Sequence, residues 1–397
     1  MPRLIVSTTM RHVTPRQPSG YLYVYDLNDD RVLCRIKAIE SPYRPVDPNP
    51  RGGLRGSKGI DCSGEHILIS NPHSIFIFDP DWHLQRIVTH PSCAGIHEIM
   101  LDEDNHLWVT STRNDILFKF NLDGALLDFV SLRHNRDLMQ ALEMNRAPLL
   151  SAADIADGKL DFRDPRTHSQ MKYDALHLNS IATCPEGGYL ISLGLVVNQR
   201  FSIMMRLKEY LLSKNIWPWI VRLNRFFRSM IKGRRKKQSE MMFTPAIGKS
   251  AVVRLSEDGS AEPCLTIGGQ HVPSHSIAVL DDGTAFHLNS SEGSIIRFNV
   301  REQRIISSQH ITDQFLRGVF ILNDRDILVG AQNALVRFDY RNNRVLRRNP
   351  LSQDQNEAIF EIKLLPDNFS LPPQDLPERL EEYERINGKH IHVGCLK

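Results

Sequence analysis

Gly95-Ile96-His97-Glu98-Ile99, an acidic turn at Asp102 to Asn105, Leu107-Trp108-Val109-Thr110-Ser111 and Ile116-Leu117-Phe118-Lys119-Phe120 form the stretch that decides the fold. Apolar residues alternate through each short segment, and Asp, Asn or Gly punctuate the joins, which is the pattern of antiparallel strands linked by tight turns. The phrase recurs from Gly59-Ile60 to Phe78-Asp79, from Asn179-Ser180-Ile181 to Leu255, from His275-Ser276-Ile277 to Phe298-Asn299 and from Arg317-Gly318-Val319 to Phe338-Asp339. Each copy carries a more variable fourth strand such as Val345-Leu346. Four short strands repeated at a period of about 40 residues are the signature of propeller blades.

A sixth copy is divided between the chain ends. Ala358-Ile359-Phe360-Glu361-Ile362 reads as a first strand, and its partners are Leu4-Ile5-Val6-Ser7, Tyr21 to Asp26 and Val32 to Ile36. One blade built from both ends closes the ring and leaves no unpaired edge between first and last blade. The expected architecture is an all-β, six-bladed β-propeller over residues 1–365, followed by a tail at 366–397.

The 397 residues would ordinarily suggest two or three domains, but repeat folds exceed that length as one closed unit. Six cysteines are scattered without a Cys-x-x-Cys pair, and no apolar leader precedes the first strand, so a cytoplasmic setting is expected. No run of 18 apolar residues is present to span a bilayer. The formal charge of +3 is unevenly spread, for Arg200 to Lys237 holds twelve Lys or Arg against Glu209 alone.

That basic stretch lies in the second of two long insertions, at 133–173 and 194–249. Both fall in loops that open on one face of a propeller, so they are expected to cap one mouth of the channel together. Around Pro218, Trp217 and Trp219 flank a break. Ile220, Leu223, Phe227, Met230 and Ile231 then share one helical face, Arg222, Arg225 and Arg228 share the other, and Arg234, Arg235, Lys236 and Lys237 follow. Apolar area joined to a polybasic run is what an interfacial anchor on an anionic membrane needs, each cation contributing about 1 kcal/mol. A lid helix with a solvated back is the plainer reading. Nucleic acid is not expected as a partner, because aromatic stacking platforms among basic residues are missing elsewhere.

Aligning the copies on their first buried aliphatic (Ile60, Ile99, Ile181, Ile277, Val319, Ile359) places Lys58, His97, Asn179, His275, Arg317 and Glu357 at equivalent positions on the mouth, with His177 close by. Three imidazoles from separate strands could hold Zn²⁺ or a similar divalent metal with an open position. They could also work without metal, as nucleophile or base, with Arg317 and Lys58 clamping an anion and Asn179 and Glu357 touching substrate.

Leu176-His177-Leu178-Asn179-Ser180-Ile181, Tyr189-Leu190-Ile191-Ser192, Gly268-Gly269-Gln270 and His275 resemble the arylsulfotransferase propellers. That resemblance implies that His177 and His275 bind or transfer a sulfuryl group. Ser276 stands where the family usually has Asp, and the Ser-Arg after the second strand is replaced by Ser192-Leu193-Gly194. Ile96-His97-Glu98-Ile99 with Asp102 and Leu107-Trp108-Val109-Thr110 is similar to the repeat of the peptidyl amidating and virginiamycin B lyases, which implies mouth histidines around a divalent metal. The first expectation is therefore a sulfotransferase-like enzyme using His97, His177, His275 and Arg317 on an anionic or lipid-like small molecule at a membrane surface. A metal-dependent lyase or hydrolase is the alternative, and a noncatalytic, peripheral-membrane binding propeller is the competing class.

Overall fold

The computed structural model describes residues 2–47, 54–144, 150–166, 174–197 and 248–376. Among them lie six four-stranded antiparallel sheets, one for each expected copy. Blade 1 comprises Ile60–Cys62, Ile67–Ser70, Ser74–Phe78 and Leu84–Thr89, and blade 2 comprises Ile96–Leu101, Leu107–Ser111, Ile116–Phe120 and Leu126–Ser131. Blade 3 runs Leu178–Thr183, Tyr189–Val196, Gly248–Leu255 and Ala261–Gln270. Blades 4 and 5 have inner strands His275–Val279 and Leu316–Ile321 and end at the outer strands Arg304–His310 and Arg344–Pro350. In blade 6, Glu357–Leu365 pairs with Arg3–Met10, which pairs with Tyr21–Asp26, so the chain ends close the ring as expected.

The core is divided in the same way. Among the described residues there are six apolar clusters, and each lies between two neighbouring blades. Strand alternation produces this: Ile67 and Ile69 face the blade 6 side, whereas Leu68 between them faces blade 2. A middle strand must therefore be apolar on both faces, and Leu107–Ser111 and Ser74–Phe78 are buried throughout. Outer strands pack on one side at most and are mostly exposed.

Hydroxyls stitch neighbouring blades together around the axis. Ser7 Oγ donates to Lys58 O at 2.7 Å, Ser180 Oγ donates to Glu98 and accepts from Ile277 N, and Ser276 Oγ accepts from Gly318 N at 2.9 Å. The inner strands of blades 2 to 6 also carry a bulge near the mouth, at Ile96/Ile99, Leu178/Ser180, His275/Ile277, Arg317/Val319 and opposite Ser7/Thr8. Such an extra residue re-aims the side chains around it, and this sets what the mouth presents.

The described part of the first insertion packs on blades 1 to 3. Leu138, Met139 and Leu142, in or just after helix Arg136–Ala141, enter the cluster between blades 2 and 3, and Ile155 of helix Ala152–Ala156 enters that between blades 1 and 2. Of the tail, Phe369 and Leu376 join the cluster between blades 6 and 1, and Trp82 Nε1 donates to Ser370 O at 2.8 Å. The expected basic helix with Trp217, Trp219, Leu223, Phe227, Arg234, Arg235, Lys236 and Lys237 lies outside the described residues. No helix among the described residues is long and apolar enough to cross a membrane.

Candidate functional site

Blades 2, 3 and 4 each bring one imidazole to a common point. His97 and His177 have ring centroids 5.2 Å apart, His97 and His275 5.6 Å, and His177 and His275 5.9 Å. One ring nitrogen from each lies within 4.8 Å of the others. His97 and His275 are buried, and His177 is partly so.

The Nδ1 atom of each ring is already committed. His97 Nδ1 is 2.6 Å from Gly95 O and 2.7 Å from Thr112 Oγ1, and the Thr112 hydroxyl donates to Leu178 O. His275 Nδ1 is 2.8 Å from Pro273 O, and His177 Nδ1 is 2.9 Å from Asp174 Oδ2. A carbonyl or carboxylate oxygen only accepts, so each Nδ1 carries the proton and each neutral ring keeps its lone pair on Nε2. His275 Nε2 is buried and has no hydrogen-bond partner among the described residues. A buried acceptor left unsatisfied costs about 1–3 kcal/mol, which a ligand at this point would offset.

Local backbone explains how His177, two residues out of register with its counterparts, joins the group. It has φ 56°, in the left-handed region that side chains seldom adopt. The preceding turn is fixed by Asp115, whose carboxylate accepts from Ala175 N at 2.8 Å and from Leu176 N. Gly194 N then bonds His177 O at 3.0 Å. Burial, reinforced by Asp174, pushes the Asp115 carboxyl up to about 7.

Blades 5, 6 and 1 supply the other half of the mouth. Lys58 Nζ is 3.4 Å from a ring nitrogen of His97, Nε2. Arg317 stacks 4.5 Å from the Phe360 centroid, and Lys58 sits 5.1 Å from the same ring. Burial and then the Lys58 charge hold His97 well below the usual imidazole range; burial and then Arg317 do the same for His275. Burial likewise depresses Lys58, assisted by Arg55, Arg317 and Arg113 and opposed by Asp174. Both imidazoles are therefore biased toward their neutral forms.

Deeper along the axis, burial holds Glu98 well above the carboxylate range, with Glu361 adding to the shift, and lifts Glu361 to about 7. Lys363 opposes both shifts. The sequence reading overlooked this pair, although Glu98 adjoins His97.

Not every expected mouth residue joins the site. Glu357 turns back into its own blade, where it accepts from Thr8 Oγ1 at 2.6 Å and Tyr23 OH at 2.9 Å. The bulge in blade 6 is the reason: residues 359 and 361 pair with Thr8 and Ser7, and the extra residue, Phe360, reaches the histidines instead. Asn179 donates to Ser274 O at 2.6 Å and so braces blade 3 against blade 4, its buried Oδ1 having no hydrogen-bond partner among the described residues. A second group, Asp102, Asp104 and His106, sits on a turn of blade 2, where Asp102 accepts from His106 N and Trp108 Nε1.

Fold and mouth together define a six-bladed β-propeller with a three-histidine, cation-flanked central site. No protein-family model matches the chain, and no curated protein matches it in sequence. Among solved structures, it is similar to a protein of unknown function from Bacteroides caccae, at 10% identity over 92% of this chain and 99% of that one, with a TM-score of 0.53. A structure described as a nidogen/laminin complex gives 9% identity over 92% and 98%, with a TM-score of 0.50. A virginiamycin B lyase from Staphylococcus aureus, solved with quinupristin, gives 11% over 76% and 71%, with a TM-score of 0.42. At these identities the likeness shows the propeller fold alone.

Proposed function

We propose that the chain is a metal-dependent enzyme of the lyase or hydrolase type, with His97, His177 and His275 holding a divalent ion such as Zn²⁺. The observation that carries this reading is that three imidazoles from three successive blades, each with Nδ1 bonded to a carbonyl or carboxylate oxygen, bring ring nitrogens within 4.8 Å of one another. Ligating histidines usually donate their second N–H to a carbonyl or carboxylate, and three protein ligands leave a position for water or substrate. A bound ion there would polarise a carbonyl or phosphoryl oxygen, or acidify a water. Lys58 and Arg317, beside the histidines, would stabilise negative charge that develops on the substrate. The Phe360 ring against His97 and His275 restricts water on that side.

Metal-free sulfuryl transfer through His177 or His275 is the second reading. Lys58 favours it, since a cation 3.4 Å from His97 opposes a metal dication and suits an anionic sulfuryl group. Peripheral attachment to an anionic membrane through residues 200–240 belongs to the proposal on sequence grounds alone; liposome cosedimentation of a chain lacking them should show lost binding.

The test is turnover of an ester and lactone panel, and of an aryl sulfate with a phenolic acceptor, by full-length protein before and after chelation. The metal reading expects hydrolysis or elimination that chelation abolishes, Zn²⁺ restores and His275→Ala removes. Chelator-insensitive sulfuryl transfer that depends on His275 would replace it with the second reading. Neither activity, together with no retained metal, would leave a binding module.

A further inference from the structure

The cationic half of the mouth is a column of alternating charge and ring. Arg11 lies 4.3 Å from the Phe315 centroid, Arg317 lies 4.4 Å from Phe315 and 4.5 Å from Phe360, and Lys58 lies 5.1 Å from Phe360. Phe315 also meets His275, at 5.9 Å, and Phe360 meets both His97 and His275. The column therefore ends on the imidazoles. Its members come from blade 5 (Phe315, Arg317), blade 6 (Arg11, Phe360) and blade 1 (Lys58), while the histidines come from blades 2 to 4.

Stacking of this kind has a specific chemical effect. A guanidinium held over an aromatic face gains a cation–π contact of roughly 0.5–2 kcal/mol and loses rotational freedom. Two guanidiniums pre-set in this way are suited to the planar, bidentate recognition of an oxyanion. The field agrees: the leading charges acting on Lys58 are Arg55, Arg317 and Arg113, against the single carboxylate of Asp174. Phe360 is buried, and Phe315 and Arg317 are only partly exposed, so an anion here would be partly screened from water.

We propose that Arg11, Arg317 and Lys58, ordered by Phe315 and Phe360, form an oxyanion subsite beside the imidazoles that anchors a phosphate, sulfate or carboxylate group of the substrate. The assignment of that group to the substrate rests on the enzyme reading above; the anion site itself does not require the metal. The substrate is then bipartite, with one end on the imidazoles and a permanent negative charge on the column. Arg11 becomes a specificity residue, although it is remote in sequence from every other member.

Calorimetric titration of the full-length, chelator-treated protein with inorganic phosphate, sulfate and acetate tests this, with the same titrations repeated after Zn²⁺ loading. Phosphate or sulfate should bind the metal-free protein, with Kd rising as salt is added. Arg317→Ala and Arg11→Ala should each weaken it by about tenfold, the equivalent of about 1.4 kcal/mol. Arg11→Lys and Arg317→Lys, which keep charge but lose the stacked plane, should recover only part of that loss. Phe315→Leu should weaken binding without touching the anion. His275→Ala should abolish zinc retention yet leave metal-free anion affinity within about threefold, well under the tenfold unit of 1.4 kcal/mol. Acetate binding more tightly than phosphate would assign the subsite to a carboxylate. Anions that bind only when zinc is present, with Arg11→Ala silent, would overturn the subsite and leave the metal centre standing; anion binding with no zinc retention would do the reverse.

Discussion

Asp174 offers a graded test of how the histidines are held. Its carboxylate accepts from His177 Nδ1 at 2.9 Å, and the side chains are 26% and 19% exposed, so the contact is only partly screened by water. Such a partner fixes tautomer and ring orientation and raises the basicity of the opposite nitrogen; its loss typically lowers metal affinity by about 10–100-fold. Asp174→Asn keeps an acceptor oxygen but discards the charge, and should cost about tenfold, or about 1.4 kcal/mol. Asp174→Ala discards both and should approach 100-fold, or about 2.7 kcal/mol. Folding should not suffer in parallel, because the Asp174 charge helps to raise the buried Asp115 carboxyl, and removing it relieves that pair. Competition of Zn²⁺ between protein and a chromogenic chelator, with urea unfolding of the metal-free variants, separates the two effects. Equal zinc affinity in wild type, Asp174→Asn and Asp174→Ala would refute the ligand role assigned to His177.

Glu361→Gln should show a pH-dependent stability difference. The buried carboxyl titrates at about 7 when folded against an ordinary value near 4.5, so its neutral form is favoured in the fold. That contribution is present below the unfolded value and is lost as pH rises toward 7, at about 1.4 kcal/mol per unit. Wild type should therefore lose roughly 3 kcal/mol relative to the Gln variant between pH 4 and pH 7.5 in urea titrations; a constant difference would contradict the assignment. Gly194→Ala should weaken both fold and metal site. A Cβ there would meet Asn179 Nδ2 and the Ser274 carbonyl, so a loss of about 1–3 kcal/mol is expected on unfolding, with reduced zinc affinity because Gly194 N holds His177 O. An unchanged melting temperature would contradict it.

Propeller blades were legible because burial on both faces writes unbroken apolar strands. At Ile67-Leu68-Ile69 every residue is apolar because each serves one of two neighbouring clusters. Ring closure was equally open to reading, since Ala358 to Ile362 lacks a hairpin partner downstream and Leu4 to Ser7 lacks one upstream. His97, His275, Arg317 and Lys58 followed from blade register. Register failed at Glu357, where the bulge puts Phe360 at the centre, and it could not reach Arg11 or Phe315, which belong to loops whose path no strand pattern determines. Asp174, three residues before His177, was a readable signal that was passed over. Thr112 was not, because its contact with His97 depends on how blade 2 bends at its bulge.

X-ray absorption at the zinc edge of loaded, full-length protein tests the central claim most directly. The account predicts one ion per chain, with three imidazole nitrogens at about 2.0–2.1 Å and one further light ligand, and loss of that shell in His97→Ala. A chain that retains no ion, or holds one in an oxygen shell unaffected by His97→Ala, would contradict it.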